Sequence, residues 1–236
     1  MTNTPNLGLP LLQSAQAQKH VTMNEALQRM DSLCHLTLSS VTLLAPPVGA
    51  AEGSAYGVPL GATGLWSGFE GMVAIAANGG WDFVTPQPGW QAFIADTGKP
   101  AIYSGSAWND SLLARSPSGA AMRAEIIEFD HTVAAGASDS TAITIPAGAM
   151  VCAVGARVIT ALSGTLTSWD LGVTGSTGQF GTGLGIGQGS YAEGILGTPT
   201  SYYSDTPLTL TAQGGDFAAG TLRFAIHHFR FDLPGA

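Results

Sequence analysis

Apolar residues recur with different periods along the chain, and these periods predict its elements. From residue 14 to about residue 38 the apolar positions lie three or four residues apart, which predicts an amphipathic helix. The apolar stripe of this helix consists of Met23, Leu27, Met30 and Cys34. The stripe has the a/d spacing of a coiled coil over two heptads, which is too short to hold a coiled coil alone. Packing of the helix on its own β domain is the equally plausible alternative.

The next segment, residues 46–110, has the pattern of short β-hairpins. Val73–Ile75 leads through Asn78-Gly79-Gly80 to Trp81, and Ala101–Tyr103 leads through Ser104-Gly105-Ser106 to Trp108. Each turn contains glycine, which adopts positive φ at no steric cost, and each return strand begins with an aromatic residue. Thr63–Trp66 is interpreted as a third, degraded copy. We predict a small Trp-rich module whose core is formed by its tryptophans. A sugar site lined by these tryptophans is the less favoured alternative.

Beyond residue 124 the apolar positions alternate with polar ones. Examples of this two-residue period are Ile143 and Ile145, then Met150, Cys152, Val154, Ala156 and Val158, then Trp169, Leu171 and Val173, and later Leu208, Leu210 and Ala212. Six or more strands joined by Gly- and Ser-rich turns predict an antiparallel β-sandwich of jelly-roll type. The fold class is therefore mainly β, with an N-terminal arm and helix.

The last strand changes phase. Leu222, Phe224 and Ile226 occupy one phase, whereas Phe229, Phe231 and Leu233 occupy the opposite one. A β-bulge at His227-His228 would return both sets to the core, and we predict one there.

These patterns predict four segments. Residues 1–45 form an attachment arm and helix, residues 46–110 the Trp-rich module, residues 111–123 a linker, and residues 124–236 a β-sandwich that binds a receptor or glycan. The linker is predicted from a Ser-Pro-Ser-Gly turn among small residues.

The N-terminal arm is apolar where it cannot be helical. Pro5, Gly8 and Pro10 interrupt it, and between them lie Leu7, Leu9, Leu11 and Leu12. We interpret these four leucines as an attachment segment that docks on a neighbouring subunit or on a larger particle. The alternative is a terminus that packs on its own domain.

Composition narrows the possible partners. The net charge of −8 repels nucleic-acid phosphates, so we expect no nucleic-acid partner. No apolar stretch approaches the roughly 20 residues that a membrane span needs, so we expect no membrane insertion. Cys34 and Cys152 lie far apart in sequence and are expected to be free thiols rather than a disulfide.

Motifs for catalysis are missing from the sequence. It contains no phosphate-binding loop, nucleophile elbow, zinc motif or paired-cysteine spacing, so we predict no catalytic residue, no metal site and no cofactor. The glycine-rich run at residues 172–197 is interpreted as a mobile loop at one tip of the sandwich. Four acids are the candidates for a glycan-cleaving pair, although turn formation explains them more simply: Asp170, Glu193, Asp205 and Asp216.

Glycan binding without cleavage requires fewer functional groups than catalysis does. A sugar needs an aromatic face for its C–H surface and planar polar groups for its hydroxyls. The predicted glycan-binding residues are Trp169, Asp170, Tyr191, Tyr202, Tyr203 and Asp205. Tyr202 and Tyr203 would point to opposite faces of a strand, so at most one of them is a platform. The alternative is that these aromatics cover the edges of the core or contact other subunits.

Short motifs in the first half of the chain are more specific than packing requires. They are Asn6–Leu12, Gln16–His20, Asn24–Leu27, Glu52-Gly53, Tyr56, Ala62–Gly64, Trp66–Gly68, Trp81, Pro86, Gly89-Trp90 and Trp108-Asn109. They resemble an uncharacterised family of prophages and gene transfer agents, whose members look like fibre or head-spike proteins of virus-like particles. The second half is the variable part in such proteins.

The resemblance implies a function, partners and a location. The protein is expected to be a fibre or spike on the surface of a phage-like particle, made in the bacterial cytoplasm and released by lysis. Its expected partners are capsid or tail proteins and a cell-surface polysaccharide to which it mediates adsorption. Analogy with viral fibres implies a homotrimer. A capsular-glycan depolymerase and a purely structural decoration protein are the alternatives.

Overall fold

The structure, a computed structural model, describes residues 3–13 and 19–235. The chain divides into two compact units, Met1–Leu112 (unit 1) and Leu113–Ala236 (unit 2). The described residues are mainly β, as the sequence predicts, with one α-helix near the N-terminus.

Unit 1 is a helix followed by a seven-stranded sheet. Its elements are α1 Lys19–Leu33, β1 Thr37–Leu38, β2 Ala55–Gly57, β3 Val73–Ala77, β4 Gly80–Val84, β5 Gln91–Ile94, β6 Lys99–Tyr103 and β7 Trp108–Asp110. The strands follow the order β4-β3-β2-β1-β5-β6-β7. The two-residue strand β1 is parallel to both of its neighbours, whereas the other pairs are antiparallel. The sheet therefore extends the predicted module backwards to include β1, which lies in the segment predicted as arm and helix.

The two clearest predicted hairpins are confirmed. β3 and β4 are joined by Asn78 and Gly79, whose φ angles of 53° and 74° are those of a two-residue hairpin turn. β6 and β7 pair at Tyr103 and Trp108. The third predicted copy is wrong, because Gly64–Trp66 is a short 3-10 helix whose Trp66 is fully buried.

The helix α1 ends earlier than predicted. It stops at Leu33, and His35 adopts a left-handed conformation with φ 55°, which ends a helix. Residues 14–18, which the prediction placed in this helix, lie outside the described residues.

Unit 2 is a sandwich of two antiparallel sheets. Its elements are β8 Leu112–Arg115, β9 Ala121–Thr132, β10 Ser138–Ile145, β11 Met150–Gly164, β12 Ser168–Val173, β13 Ser176–Leu184, β14 Tyr191–Ala192, β15 Ile195–Ser201, β16 Thr206–Gln213 and β17 Phe217–Asp232. One sheet has the order β10-β16-β12-β13. The other has the order β14-β11-β17-β9-β8, with β15 also paired to β11. We call them the four-stranded and the six-stranded sheet.

The strand pairs of unit 2 are nested, as in a jelly roll. The first long strand pairs with the last, β9 with β17, and inside this pair lie β10 with β16, β11 with β14 and β15, and β12 with β13. The predicted jelly-roll sandwich is confirmed at this level.

One core fills the space between the two sheets. Its fully buried large side chains come from both sheets and include Ile145, Trp169, Leu171, Leu208, Leu210, Leu222, Phe224 and Ile226. Burying each such side chain stabilises the fold by about 1.5–3 kcal/mol. The two-residue period of β12, β16 and β17 is therefore the sequence signal of this core.

Two predicted irregular segments contain strands. Residues 111–123, predicted as a linker, hold β8 and the first residues of β9. Residues 172–197, predicted as a mobile loop, hold β13, β14 and the start of β15. The glycines of this run therefore do not prevent its residues from pairing as β-strands.

The bulge predicted at His227-His228 is wrong. β17 pairs with β9 residue by residue from Thr221 to Asp232 without a shift. The irregularity lies on the other neighbour, β11, where Cys152 is the extra residue between Val151 and Ala153. His228 is consequently buried with Ile226, and Phe229 and Phe231 stay on the outer face of the sheet.

Candidate functional site

The outer face of the six-stranded sheet carries polar residues at one end. Residues directly opposite one another in an antiparallel pair share a face. The pairs Glu128–Ala225, Asp130–Arg223, Gly155–Ala225, Arg157–Arg223 and Arg157–Tyr191 therefore extend across four strands on the face away from the core. Strand alternation and register alone bring these side chains together.

These residues surround a shallow depression of about 580 Å³, which we call the trough. It is lined by Glu128, Gly155, Ala156, Arg157, Tyr191, Ala192, Glu193, Arg223, Phe224 and Ala225. Small side chains form its floor, because Gly155 and Ala225 face each other across β11 and β17. Charged and aromatic side chains form its walls.

Tyr191 supplies an exposed aromatic ring at the trough. Its side chain is 63% exposed, and the Arg157 guanidinium carbon lies 5.7 Å from the centre of its ring. This distance is within the range of a cation–π contact, which restrains both side chains. No carboxylate among the described residues forms an ion pair with Arg157, so its hydrogen-bond donors are available to a ligand.

Arg223 is held by a bidentate ion pair. Its Nε and Nη2 lie 2.7 Å and 2.9 Å from the two carboxylate oxygens of Asp130. Hydrogen bonding to Arg223 lowers the pKa of Asp130, and the same contact raises the pKa of Arg223. Both groups are therefore charged across the physiological range, and Arg223 keeps a fixed orientation on the trough wall.

The floor of the trough is open above Gly155. A Cβ added to Gly155 would meet only the carbonyl oxygens of Ala192 and Ala225, at 3.8 Å and 3.9 Å, which are ordinary contacts. The backbone of Gly155 is outside the left-handed region. A larger residue would therefore fit the strand but would occupy the trough.

Two aromatics that the sequence suggested for glycan contact lie in the core. Trp169 is 1% exposed, and its indole Nε1 donates to the Gly185 carbonyl at 3.1 Å. Tyr202 is 9% exposed, and its hydroxyl donates to Gln179 Oε1. Burial raises the pKa of Tyr202. Neither ring offers a face to a sugar, because the core of the sandwich covers both.

The carboxylates of the two predicted aspartates accept hydrogen bonds from neighbouring segments of unit 2. Asp170 accepts hydrogen bonds from the Gly183 backbone N–H at 2.8 Å and from Gln213 Nε2 at 2.7 Å. Asp205 accepts from the Ala147 backbone N–H at 2.8 Å. Asp205 thus holds the turn at Ala147, whereas Asp170 links β12 to β13 and β16 and not to a turn.

The remaining predicted residues are on the surface. Tyr203 is 92% exposed between β15 and β16, and it does not line the trough. Glu193, one of the four suspected acids, does line it. The structure thus brings Tyr191 and Glu193 together and leaves Tyr203 elsewhere on the sandwich.

The N-terminal arm is bound to α1. The buried carboxylate of Asp31 accepts hydrogen bonds from Thr4 Oγ1 at 2.6 Å, from the Asn6 backbone N–H at 2.9 Å and from the Leu7 backbone N–H at 2.6 Å. Two of the four leucine side chains are exposed, Leu7 to 44% and Leu12 to 51%, and Leu9 and Leu11 are half-buried. The arm therefore packs on its own unit and still presents the predicted apolar side chains.

Several trough residues escaped the sequence prediction. Arg157 and Gly155 occupy the outward phase of a strand whose inward residues include Val154 and Val158, and Arg223 alternates in the same way with buried neighbours on β17. The alternation therefore placed each of them on an outer face. It could not show that β11, β17, β9 and β14 are neighbours.

Two general features are absent from the described part of the chain. No group of three or more His, Cys, Asp or Glu side chains there could hold a metal ion. None of the helices described is long and apolar enough to cross a membrane. The two cysteines described, Cys34 and Cys152, are free.

Comparison with known proteins places part of unit 1 in context. Residues 23–109 match the model of a family described as protein of unknown function (DUF2793). A chain of a solved structure described as "Cyanophage Pam1 capsid asymmetric unit" is similar at 20% identity and a TM-score of 0.32, over 47% of this chain and 84% of that chain. No curated protein matches the chain. The family match lies within unit 1 and does not reach the trough.

Proposed function

We propose that the protein is a fibre or spike component of a phage-like particle and that the trough of unit 2 binds cell-surface polysaccharide. The observation that carries this proposal is the exposed ring of Tyr191 beside Arg157, Arg223, Glu128 and Glu193 over a floor of Gly155 and Ala225. The part of the proposal that concerns the particle is supported by the resemblance of the N-terminal half to prophage and gene-transfer-agent fibres.

The trough offers the two kinds of contact that sugars use. The ring of Tyr191 presents an apolar face to the C–H side of a pyranose. Guanidinium donors and carboxylate acceptors on the walls match hydroxyl groups, which both donate and accept. The small residues of the floor let a polymer chain lie close to the sheet.

Several copies on one particle would compensate for a shallow site. A trough open along one side gives a weak single contact, but linked sites raise the effective affinity by a hundredfold or more without new contacts. We propose a homotrimer as the unit of binding, attached to capsid or tail proteins through the arm leucines Leu7, Leu9, Leu11 and Leu12.

The binding site can be tested by blocking the trough. Gly155→Val should abolish binding of the full-length protein to purified surface polysaccharide, because the added side chain fills the floor. Tyr191→Ala should weaken each single contact by about fivefold, which corresponds to the roughly 1 kcal/mol of an aromatic contact. Binding is measured by biolayer interferometry on immobilised polysaccharide and by adsorption of particles to cells.

Matched variants distinguish loss of the trough from general damage to the fold. Gly197→Val places the same residue at an exposed strand position with nothing within 4 Å, and it should bind like the parent. Tyr203→Ala removes an exposed tyrosine outside the trough. If Tyr203→Ala loses binding while Tyr191→Ala and Gly155→Val keep it, the site lies at the β15–β16 loop and the proposed trough is wrong.

The two alternatives predict different results in the same assay. A glycan depolymerase would release new reducing ends from the polysaccharide, and Glu128 and Glu193 are the carboxylates that line the trough. A purely structural decoration protein would enter particles yet bind no polysaccharide. We propose a binding protein without enzymatic activity, so the reducing-end assay should stay at background.

A further inference from the structure

The other end of the same sheet face is apolar. Beyond the trough, the register brings eight apolar residues together on the outer face of β9, β17, β11 and β15: Met122, Ala124, Ile126, Met150, Ala153, Ile195, Phe229 and Phe231. We call this set the apolar patch. The pairs Met122–Phe231, Ala124–Phe229, Met150–Phe229 and Ala153–Ile195 are direct cross-strand neighbours, so the patch is continuous.

Large side chains of the patch are open to solvent. Ile126 is 56% exposed, Phe231 is 54% exposed and Ile195 is 73% exposed. Phe229 and Phe231 belong to the set whose phase is opposite to that of the core, and the unbroken register of β17 with β9 keeps them outside. The change of phase in the sequence therefore marks a second apolar surface and not a return to the core.

The patch contains no Asp, Glu, Lys or Arg. Its polar neighbours on the same face are His227, opposite Ile126 and Ala153, and Ser201, opposite Met150. Charge is confined to the trough end of the face. Depletion of charge at the centre with a polar margin is the composition of a protein interface. Exposed apolar surfaces of this kind on soluble proteins mark binding sites.

A second copy of this chain fits the patch. In a cyclic oligomer, residues beside the symmetry axis contact the same residues of the other copies, so a patch without charge can lie at the axis without burying an unpaired charge. The chain as a whole carries a net charge of −8, so copies repel one another at long range. A contact through the uncharged patch adds no close pair of like charges to this repulsion.

Independent support for self-association comes from α1. Three of the four residues of its predicted a/d stripe are exposed within unit 1: Met23 is 53% exposed, Met30 is 49% exposed and Cys34 is exposed, whereas Leu27 is half-buried. A stripe with this spacing packs against a helix with the same spacing. Because α1 is the one α-helix among the residues described, another copy of the chain supplies a matching helix in identical form.

We infer that the apolar patch on the outer face of the six-stranded sheet is the surface through which copies of this chain associate. This inference rests on the multi-copy part of the proposed function and identifies the contact. It places the trough at the margin of the interface, on the same face of β9, β11 and β17 and open to a ligand.

The experiment is sedimentation velocity of the full chain under reducing conditions, so that the exposed Cys34 cannot form disulfides between copies. The parent should sediment as an oligomer. Phe231→Glu and Ile126→Glu should require at least tenfold higher concentration to associate, because each places a charge in the patch. Thr132→Glu is the matched control, since it lies on the same strand and the same face outside the patch and should associate like the parent.

Two results would overturn the inference: a parent that is monomeric at micromolar concentration, or Phe231→Glu and Ile126→Glu variants that associate like the parent. In the second case, loss of association in Met30→Glu would assign the contact to α1 alone. Circular dichroism and melting temperature confirm that the exposed substitutions leave the fold intact. Single-site polysaccharide binding by Phe231→Glu separates this question from the proposed function, because a dissociated protein with an intact trough still binds.

Discussion

Asp31 links the N-terminal arm to the fold of unit 1. Its carboxylate is 1% exposed and accepts hydrogen bonds from Thr4 and from the backbone of Asn6 and Leu7. Burial alone would raise the pKa of Asp31, but these hydrogen bonds outweigh it and lower the pKa. The arm is therefore fixed by a charged group on α1.

Replacing Asp31 with Ala should destabilise unit 1 by about 1–3 kcal/mol, because buried donors of the arm lose their acceptor. Thermal unfolding followed by circular dichroism measures the change. Glu25→Gln, an exposed change on the same helix, is the control and should melt like the parent. An Asp31→Ala variant with the parent's melting temperature would show that the arm contributes nothing to folding.

The same contacts bear on removal of the arm. If the arm served only to dock on a neighbouring subunit or particle, a chain without its first twelve residues would melt like the parent. The backbone of the arm, and not its leucines, makes the contacts with Asp31. We therefore expect the truncated protein to melt below the parent in thermal unfolding and, because it lacks the arm leucines, to fail to enter particles.

The sequence predicts the location of the Trp169 side chain better than that of Tyr191. Trp169 has the same phase as Leu171 and Val173, so the two-residue period already placed it in the core. Tyr191 follows a glycine-rich stretch without a period, and only its pairing with Arg157 shows which face it occupies. An aromatic residue near glycines is thus a weak signal of a binding platform unless a phase accompanies it.

At the element scale, a polar contact joins the two sheets of unit 2. His131 on β9 lies with its Nε2 2.8 Å from Asp139 Oδ2 on β10, and each side chain is 13% exposed. Asp139 also accepts hydrogen bonds from the Ala134 and Ser140 backbone N–H groups. Burial would raise the pKa of Asp139, but the hydrogen bonds from Ala134, His131 and Ser140 together lower it.

This pKa shift predicts a loss of stability in acid. The native pKa of Asp139 lies below the value near 3.9 of an unfolded aspartate, so its contribution is complete above about pH 4 and is lost as the pH falls through the native pKa. Between pH 5 and pH 3 the melting temperature of an Asp139→Asn variant should fall less than that of the parent. Equal falls in the two proteins would show that Asp139 does not contribute to the acid sensitivity.

Elements with local signals were predictable. The Asn78-Gly79 turn joins two runs whose pairing needs no distant partner, and the structure has that hairpin. The position of the bulge was not predictable, because it depends on how β17 pairs with both β9 and β11. The sequence of β17 shows the change of phase but not that the irregular residue, Cys152, lies on another strand.

At the scale of the molecule, unit 2 has its own core and its own closed pattern of strand pairs. A fragment of residues 113–236 should therefore give a β-type circular dichroism spectrum and a single cooperative melt. A spectrum of coil, or one with substantial helix, would contradict this. A fragment that begins at residue 121 lacks β8, which leaves β9 as an open edge, so it should fold but aggregate more readily in light scattering.

The fold class could be predicted from the composition and from the two-residue period of apolar positions. The order in which the strands pair could not. Gly-rich turns and alternating apolar residues indicate a β-sandwich whichever strands pair. The nested pairs bring Ala121 to Asp232 and Ser138 to Thr211, across most of the unit, and no local signal records such contacts. The trough and the apolar patch both arise from these distant pairings, which is why neither was visible in the sequence.

The position of β1 has a consequence for the order of folding. β1 provides only Thr37 and Leu38, yet it joins β2 on one side and β5 on the other. Hairpins close within microseconds, whereas contacts across long loops wait for the loop to close. The two flanking groups of strands should therefore form early as separate halves, and the sheet of unit 1 should become continuous only when β1 enters between them. β1, which precedes the other six strands along the chain, would then be the last of the seven to join the sheet.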